Sequence, residues 1–471
     1  MPSVPIHNIS GLNLRTSAFL QGDGQILRAL NVERDSIGAW RKRAGYITYL
    51  GTPDNNQLNS LFSWTRNDGT SFYTYRASGS ILYHSVQGTG AWTVSGNGTI
   101  TNNGHFGHTV LDGVLIGGDG TTASRHSTSG TNFSDTSGAP LAEHWEEFQG
   151  RVWAARGTAV TGTNTDMFYS ATGTATNWVT DSSSIRIPGP GRVNSLFKVS
   201  DLLHATKDSG LVFQNDGFRL IDLATNLGPS SPYSIGNVEG YRIWLNRVGV
   251  FGHGGARPEL LSNSIQRQIY NDSGSAIAGT TFSNAPGITY KYDWFCSVGT
   301  ITEDLTNYTI PDAILKYDFQ MDEFVNWRFA NRPTAFGTYQ DASGDQQLLF
   351  GDSGGQCYQF SGTATTDNGA SIEAVLMGFI HGGTFDDKKW VRITPMTNPG
   401  CEAKIQIALS DTFTYNKLKW IDLGDLHDGV REFRFPVGSR GRFLFWKLYE
   451  SSRDSRFQFY GFDIDVEIIK H

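Results

Sequence analysis

A short two-armed phrase recurs along this chain and restricts its fold more than any other feature. It is cleanest at SILYHSVQGTGAWTV, which opens at Ser80: an aliphatic pair leads into Tyr83, a Gly-rich turn follows, and Trp92 arrives nine residues after the tyrosine. It returns as MFYSATGTATNWVT, with Tyr169 and Trp178 again nine apart, and as AILKYDFQMDEFVNWRF, where Tyr317 and Trp327 are ten apart. Two period-2 runs joined by a turn make a β-hairpin, and an aromatic on each arm is placed to pair across it. Such a hairpin cannot bury its own faces, so repetition implies stacked similar units, as in a propeller.

Composition agrees. The 471 residues suffice for two to four domains, or for one repeat architecture with an extra domain. Gly is abundant at 55 and aromatics reach 13%, while charged residues are only 18%. Gly with Thr, Ser and Asn supplies turns, and Tyr, Phe and Trp favour pleated surfaces. The expected class is all-β. A net charge of −7 argues against a generic nucleic-acid coat but allows an acidic passage through which DNA slides. No apolar run approaches the roughly 20 residues that span a bilayer, so no membrane insertion is expected. The opening MPSVPIHNISGLNLRTSAF has no basic region followed by an apolar one, which is the mark of a secretory signal. Cys296, Cys357 and Cys401 are odd in number and widely spaced, so buried thiols are expected rather than disulfides or a zinc site.

Three regions follow. Residues 1–50 lack regular periodicity until Tyr46 and carry Arg41, Lys42 and Arg43 directly after Trp40. They read as an extended arm, and Trp40, Arg41, Lys42 and Arg43 are its candidate intersubunit contact. Truncating residues 1–43 is expected to leave the propeller folded while blocking assembly. Residues 51–365 hold short strands separated by NDG, SG, DG, GGDG and KDSG turns, at roughly 40 residues per unit as expected of propeller blades. The count is six or seven, because the arm is available to complete one of them. The polar stretch Ser361–Ser371 reads as a linker. Residues 366–471 then give about seven longer, alternating strands, from IEAVLMGFIHG to FQFYGFDIDVEII, which read as a β-sandwich.

A propeller invites comparison with sialidases. Ser170-ATGTATN-Trp178 echoes their turn motif without its Asp. Arg151, Arg156, Arg186, Arg192, Arg219 and Arg242 are available, but no repeated placement selects the three that would hold a carboxylate, beside a Tyr/Glu nucleophile pair. Glu146–Glu147 and Asp386–Asp387 are adjacent, so on a strand they face opposite ways and form no catalytic dyad. His105 and His108 are three apart and His253 sits in FGHGG, without further metal ligands at fixed spacing. Asp352-Ser353-Gly354-Gly355 and the GDG strings read as turns, not as a protease nucleophile or calcium loops. Catalytic residues, metals and cofactors are therefore none.

In order along the chain, Asn31-VERDSIGAW-RKRAGYI, EHWEEFQGRVWAARGTAV…DMFYSATGTATNWVT, SIRIPGPGRVNSLFKVSDLLHATKDSGLVFQ, IGNVEGYRIWLNRVGVFGHGG…LLSNSIQRQI and AILKYDFQMDEFVNWRF…LLFGDSGGQCYQF resemble the tail nozzle (distal tail-tube, stabilisation) proteins of short-tailed bacteriophages. The resemblance is diffuse and spans most of the chain. It implies a virion protein assembled in the host cytoplasm: a propeller subunit forming a ring, commonly a hexamer, below the portal and adaptor. That ring continues the channel for genomic DNA and holds the genome in until ejection. The alternative readings are a receptor- or glycan-binding tail or hub protein, and a propeller glycosidase.

Overall fold

The computed structural model describes residues 3–7, 9–14, 23–69, 71–86, 91–155, 165–178, 184–216, 219–271, 274–275, 277, 283–303, 308–381, 386–413, 417–453 and 457–469. The fold is all-β. Six small sheets stand as propeller blades, at 58–99, 107–135, 144–186, 193–224, 236–260 and 335–360. Between the last two lies a four-stranded meander, 287–328, that forms one end of a nine-stranded sheet. Its first strand, Gly287–Tyr290, touches both Gly236–Val238 and Ala335–Gln340, and Ala335–Gln340 in turn packs on Leu58–Thr65. The ring therefore closes with this shared meander in it. In chain order the units are blades 1 to 7, the sixth being the shared one.

Local chemistry explains the repeat. In blades 2, 3 and 5 the first two strands are joined by two residues of positive φ: Asp112 and Gly113, Gln149 and Gly150, and Glu239 and Gly240. Such turns carry the twist that two paired strands need. The expected Asp-Gly turn is among them. The Tyr…Trp phrase maps onto the outer part of blades 1, 3 and 6, with the tyrosine on the third strand each time. The two aromatics do not pair with each other, however. Tyr83 and Trp92 both stack on the Arg76 guanidinium, at 4.7 and 5.0 Å. Tyr169 packs on Trp153, Trp178 on Trp145, Tyr317 on Phe324 and Trp327 on Phe295.

The first residues form strands β1 (Ser3–Ile6), β2 (Ile26–Leu30), β3 (Val32–Arg34), β4 (Trp40–Lys42) and β5 (Tyr46–Thr48). β5 pairs antiparallel with Cys357–Phe360 and so completes blade 7, as the sequence allowed. The other four enter the C-terminal sandwich. One of its sheets pairs Gln458–Ile468 with β1, β4 and Lys388–Thr397, while β3 pairs with β4. The other continues from blade 6 through β2 into Ala374–Ile380, Phe443–Glu450, Lys404–Ser410 and Ile421–Asp425. β2 runs parallel to Glu323–Arg328 on one side and antiparallel to Ala374–Ile380 on the other. The seven strand regions expected after residue 366 are all present. One hydrophobic cluster runs from Trp390, Trp446 and Phe462 in the sandwich to Trp294, Trp327 and Phe350 in blades 6 and 7.

This placement corrects the reading of residues 1–50. The segment is extended, but it is built into the body rather than projecting from it. Trp40, Lys42 and Arg43 are buried, and Arg41, partly exposed, is paired with Glu33 at 2.9 Å. Lys42 Nζ meets Glu450 at 3.0 Å. Arg43 donates from Nε to Asn31, from Nη1 to the Ala44 carbonyl, from Nη2 to the Arg328 carbonyl, and from both Nη atoms to the two oxygens of Asp367. Trp40, Lys42 and Arg43 therefore offer no docking surface, and only Arg41 of the four reaches solvent. The physical reason is strand alternation: Trp40 and Lys42 share a face, and that face is the interior. The stretch Ser361–Ser371 is no loose linker either. Asp367 pairs with Tyr46 of β5 and carries the Arg43 fork. Among the described residues no helix is long and apolar enough to cross a membrane.

Candidate functional site

The seven blades converge on an axial cavity of about 530 Å³, lined by residues at or just before the first strand of every blade. Its shape depends on close approach between blades. At Gly107 a Cβ would lie 1.8 Å from the Glu143 carbonyl oxygen of blade 3, so no larger residue fits that seam. Ser60 Oγ accepts from the Phe106 amide at 2.8 Å across the blade 1–2 seam, and Thr334 Oγ1 donates to the Leu58 carbonyl at 2.7 Å across the seam that closes the ring.

One wall gathers the ionisable groups. Tyr233 stands on a single 3₁₀ turn, Pro232–Ser234, held by Ser234 Oγ donating to the Ser231 carbonyl and by Trp294 Nε1 donating to the Ser234 carbonyl. From there its hydroxyl donates to Glu143 Oε1. His105 lies over the Tyr233 ring at 4.0 Å, and His144 lies 6.3 Å from it. His144 Nε2 is 4.0 Å from Glu143 Oε2. His108 stacks on Phe62 at 3.9 Å. Burial pushes the imidazoles of His105 and His144 down to about 3 and that of His108 to about 4, so all three are uncharged near neutral pH. His105 Nδ1 and His144 Nε2 are enclosed and have no hydrogen-bond partner among the described residues. Among the described residues the lining includes no lysine or arginine.

The candidate contact residues lie elsewhere, while two histidines without a role in the sequence reading reach the cavity. His105 and His108 line the cavity; Trp40, Arg41, Lys42 and Arg43 do not. His253 faces His204 across the blade 4–5 seam, with Nε2 atoms 3.1 Å apart. Of the arginines considered for a sialidase, Arg151, Arg186, Arg192, Arg219 and Arg242 do not line the cavity, and Arg156 lies outside the described residues. Yet a hydrogen-bonded Tyr/Glu pair does exist, in Tyr233 and Glu143, residues that sequence reading passed over. Nothing local could have joined positions 90 residues apart. Glu146 and Glu147 go to separate partners, Arg242 and Lys198. Asp352 accepts from the Gly354 and Gln356 amides, as a turn residue does. The three cysteines are buried and free, and burial raises the Cys357 thiol to about 12. Among the described residues no group of three or more His, Cys, Asp or Glu is placed to hold a metal ion.

No protein-family model matches the chain, and no curated protein matches it. Among solved structures it is similar to the computationally designed Ika8 protein, at 10% identity and a TM-score of 0.38, covering 67% of this chain and 99% of that one. It is also similar to the extracellular domain of a putative hybrid two-component system from B. thetaiotaomicron, at 11% identity and a TM-score of 0.47. That match covers 87% of this chain and 58% of the other. Likenesses at this level carry no functional information.

Proposed function

We propose that this chain is a structural protein of a tailed-phage virion, a nozzle-type subunit that assembles into a ring continuing the DNA channel below portal and adaptor. The observation that supports this most is the continuity of blade 6 with the sandwich in one nine-stranded sheet. A subunit that contains packaged DNA needs a body that transmits load without a hinge, and a shared sheet with a shared core supplies one. The buried pairs Arg28–Glu303 and Arg43–Asp367 pin β2 and the segment after β4 to blade 6 and to the strand beyond blade 7, in the same sense. Lateral contacts are served by apolar side chains left in solvent at one end of the sandwich. Ile37 is 76% and Val430 62% exposed, and they flank the paired row Trp40, Phe459, Thr397. The DNA passage in this reading is the hole of the ring. A propeller axis holding about 530 Å³ is far too small for a duplex. The net charge of −7 suits a lumen that must not retain phosphate.

The test is negative-stain microscopy and native mass spectrometry of the purified chain, followed by locating it in intact particles. Closed rings, or a position next to the portal and adaptor, are expected. A strict monomer at high concentration that is also absent from particles would overturn the reading.

A further inference from the structure

The axial cavity has a composition that an inert propeller axis does not need. Its volume falls in the range of small-molecule sites, roughly 300–1,000 Å³. Polar groups reach it from blades that are far apart in sequence: Asn59, Asn103, His105, His144, Asn284 and Thr334. All are uncharged, and each both donates and accepts hydrogen bonds or, as imidazole, does one at each nitrogen. Two of these nitrogens, His105 Nδ1 and His144 Nε2, are shut away from solvent without a hydrogen-bond partner among the described residues, and the His144 side chain is only 10% exposed. A buried polar atom left unmet is unfavourable, and these two mark the polar side of the wall.

The chemistry of an occupant is narrowed from several sides. Without lysine or arginine in the lining, an anion has no counter-charge there. One oxygen of the Glu143 carboxylate accepts from the Tyr233 hydroxyl, and a cationic guest is the outcome that the amine-bearing glycans of the test would reveal. No metal-ligand cluster exists among the described residues. What fits is a neutral molecule with many hydroxyls and an apolar face, because the same walls present Tyr233, Trp145 and Phe336. We propose that the axial cavity binds a neutral saccharide, its ring against the aromatic wall and its hydroxyls met by the imidazole and amide groups of the surrounding blades. This site is independent of the ring-forming role and stands or falls separately from it.

The experiment uses the full chain on an array of neutral, sialylated or sulfated, and amine-bearing glycans, with saturation-transfer NMR on whichever neutral sugars give signal. Binding confined to neutral glycans is expected, and His144→Phe and Asn59→Ala should each weaken it about tenfold or more, the scale of one lost hydrogen bond of about 1.4 kcal/mol. Asn59 lies near the solvent side, so Asn59→Ala carries the test if His144→Phe fails to fold, as judged by thermal melting. The proposal is overturned by the absence of any neutral-glycan signal, by binding only to amine-bearing or anionic glycans, or by binding that both variants leave unchanged. Ring formation, measured on the same variants, is expected to be unaltered.

Discussion

Replacing Arg43 should destabilise the chain far more than replacing any solvated arginine, and the size of the effect follows from its surroundings. The side chain is fully buried and spends its donors on Asn31, the Ala44 and Arg328 carbonyls, and both oxygens of Asp367, at 2.5–2.9 Å. In Arg43→Met the Asp367 carboxylate stays buried with its charge uncompensated, a change that costs about 3–5 kcal/mol in comparable sites. Asp367→Asn leaves the guanidinium stranded, with a cost of similar size. In the double variant no buried charge remains. Three acceptors, on Asn31, Ala44 and Arg328, lose a donor and the neutral amide at 367 loses its Arg43 contacts, at roughly 1 kcal/mol each. The double variant should therefore be no worse than either single one, with a coupling of at least about 2 kcal/mol. Arg43→Lys should fall between wild type and Arg43→Met, since an ammonium restores the charge but not the planar fork. Urea unfolding followed by tryptophan fluorescence, checked by pulse proteolysis, measures all four. Single variants within about 1 kcal/mol of wild type, or a double variant equal to the sum of the two, would refute the reasoning.

The axial histidines make the fold acid-sensitive. Folded His105 and His144 titrate at about 3 against 6.5 unfolded, so between those values the unfolded chain binds more protons and stability is lost as pH falls. Each contributes on the order of 2 kcal/mol of loss by about pH 5, and a urea midpoint that does not move between about pH 7 and 5 would contradict this. Gly107→Ala should cost about 2–3 kcal/mol by driving its Cβ into the Glu143 carbonyl, read as a lower melting temperature, whereas Ala at the open, outward Gly362 of the blade 7 edge should be nearly silent. Deleting residues 1–43 removes β1 to β4, strips partners from Glu303, Asp367 and Glu450, and should yield aggregated protein without native near-ultraviolet circular dichroism; a soluble, folded propeller from that deletion would contradict the placement of the segment.

What was legible in the sequence was what short stretches determine. Asp112-Gly113 is a tight turn because both residues tolerate positive φ, and nothing distant is needed to know it. The strands after residue 366 announced themselves by alternation, as in FDIDVEII, where Phe462, Ile464 and Val466 are the buried set. Arg43 was misread because its partner, Asp367, lies 324 residues away, and a basic triplet in isolation looks solvated. One local clue was present: Trp40 and Lys42 are two apart on a strand, so a buried tryptophan takes the lysine inward with it. The Tyr…Trp phrase located the outer part of the blades correctly but not its contacts. The two rings of each copy settle on other neighbours: Arg76 in blade 1, Trp153 and Trp145 in blade 3, Phe324 and Phe295 in blade 6. The axial wall was invisible for a topological reason. His105, Glu143 and Tyr233 sit at equivalent places on blades 2, 3 and 5, and only ring closure brings them together.

The route of the first 48 residues also resolves a problem that every open meander poses. The outer strand of blade 6, Glu323–Arg328, and the third strand of blade 7, Cys357–Phe360, would each present a free hydrogen-bonding edge. Free edges recruit other chains without regard to geometry. β2 covers the first and β5 the second, and the Arg43 fork lies between them, fastening both coverings to Asp367 and the Arg328 carbonyl. Satisfying the edges internally leaves side chains such as Ile37 and Val430, rather than open backbone, exposed at the surface. Side-chain surfaces specify register and angle, whereas bare edges specify neither. In the proposed ring the former is what a fixed number of copies requires, and on that reading the N-terminal segment contributes from inside the body rather than as a free arm.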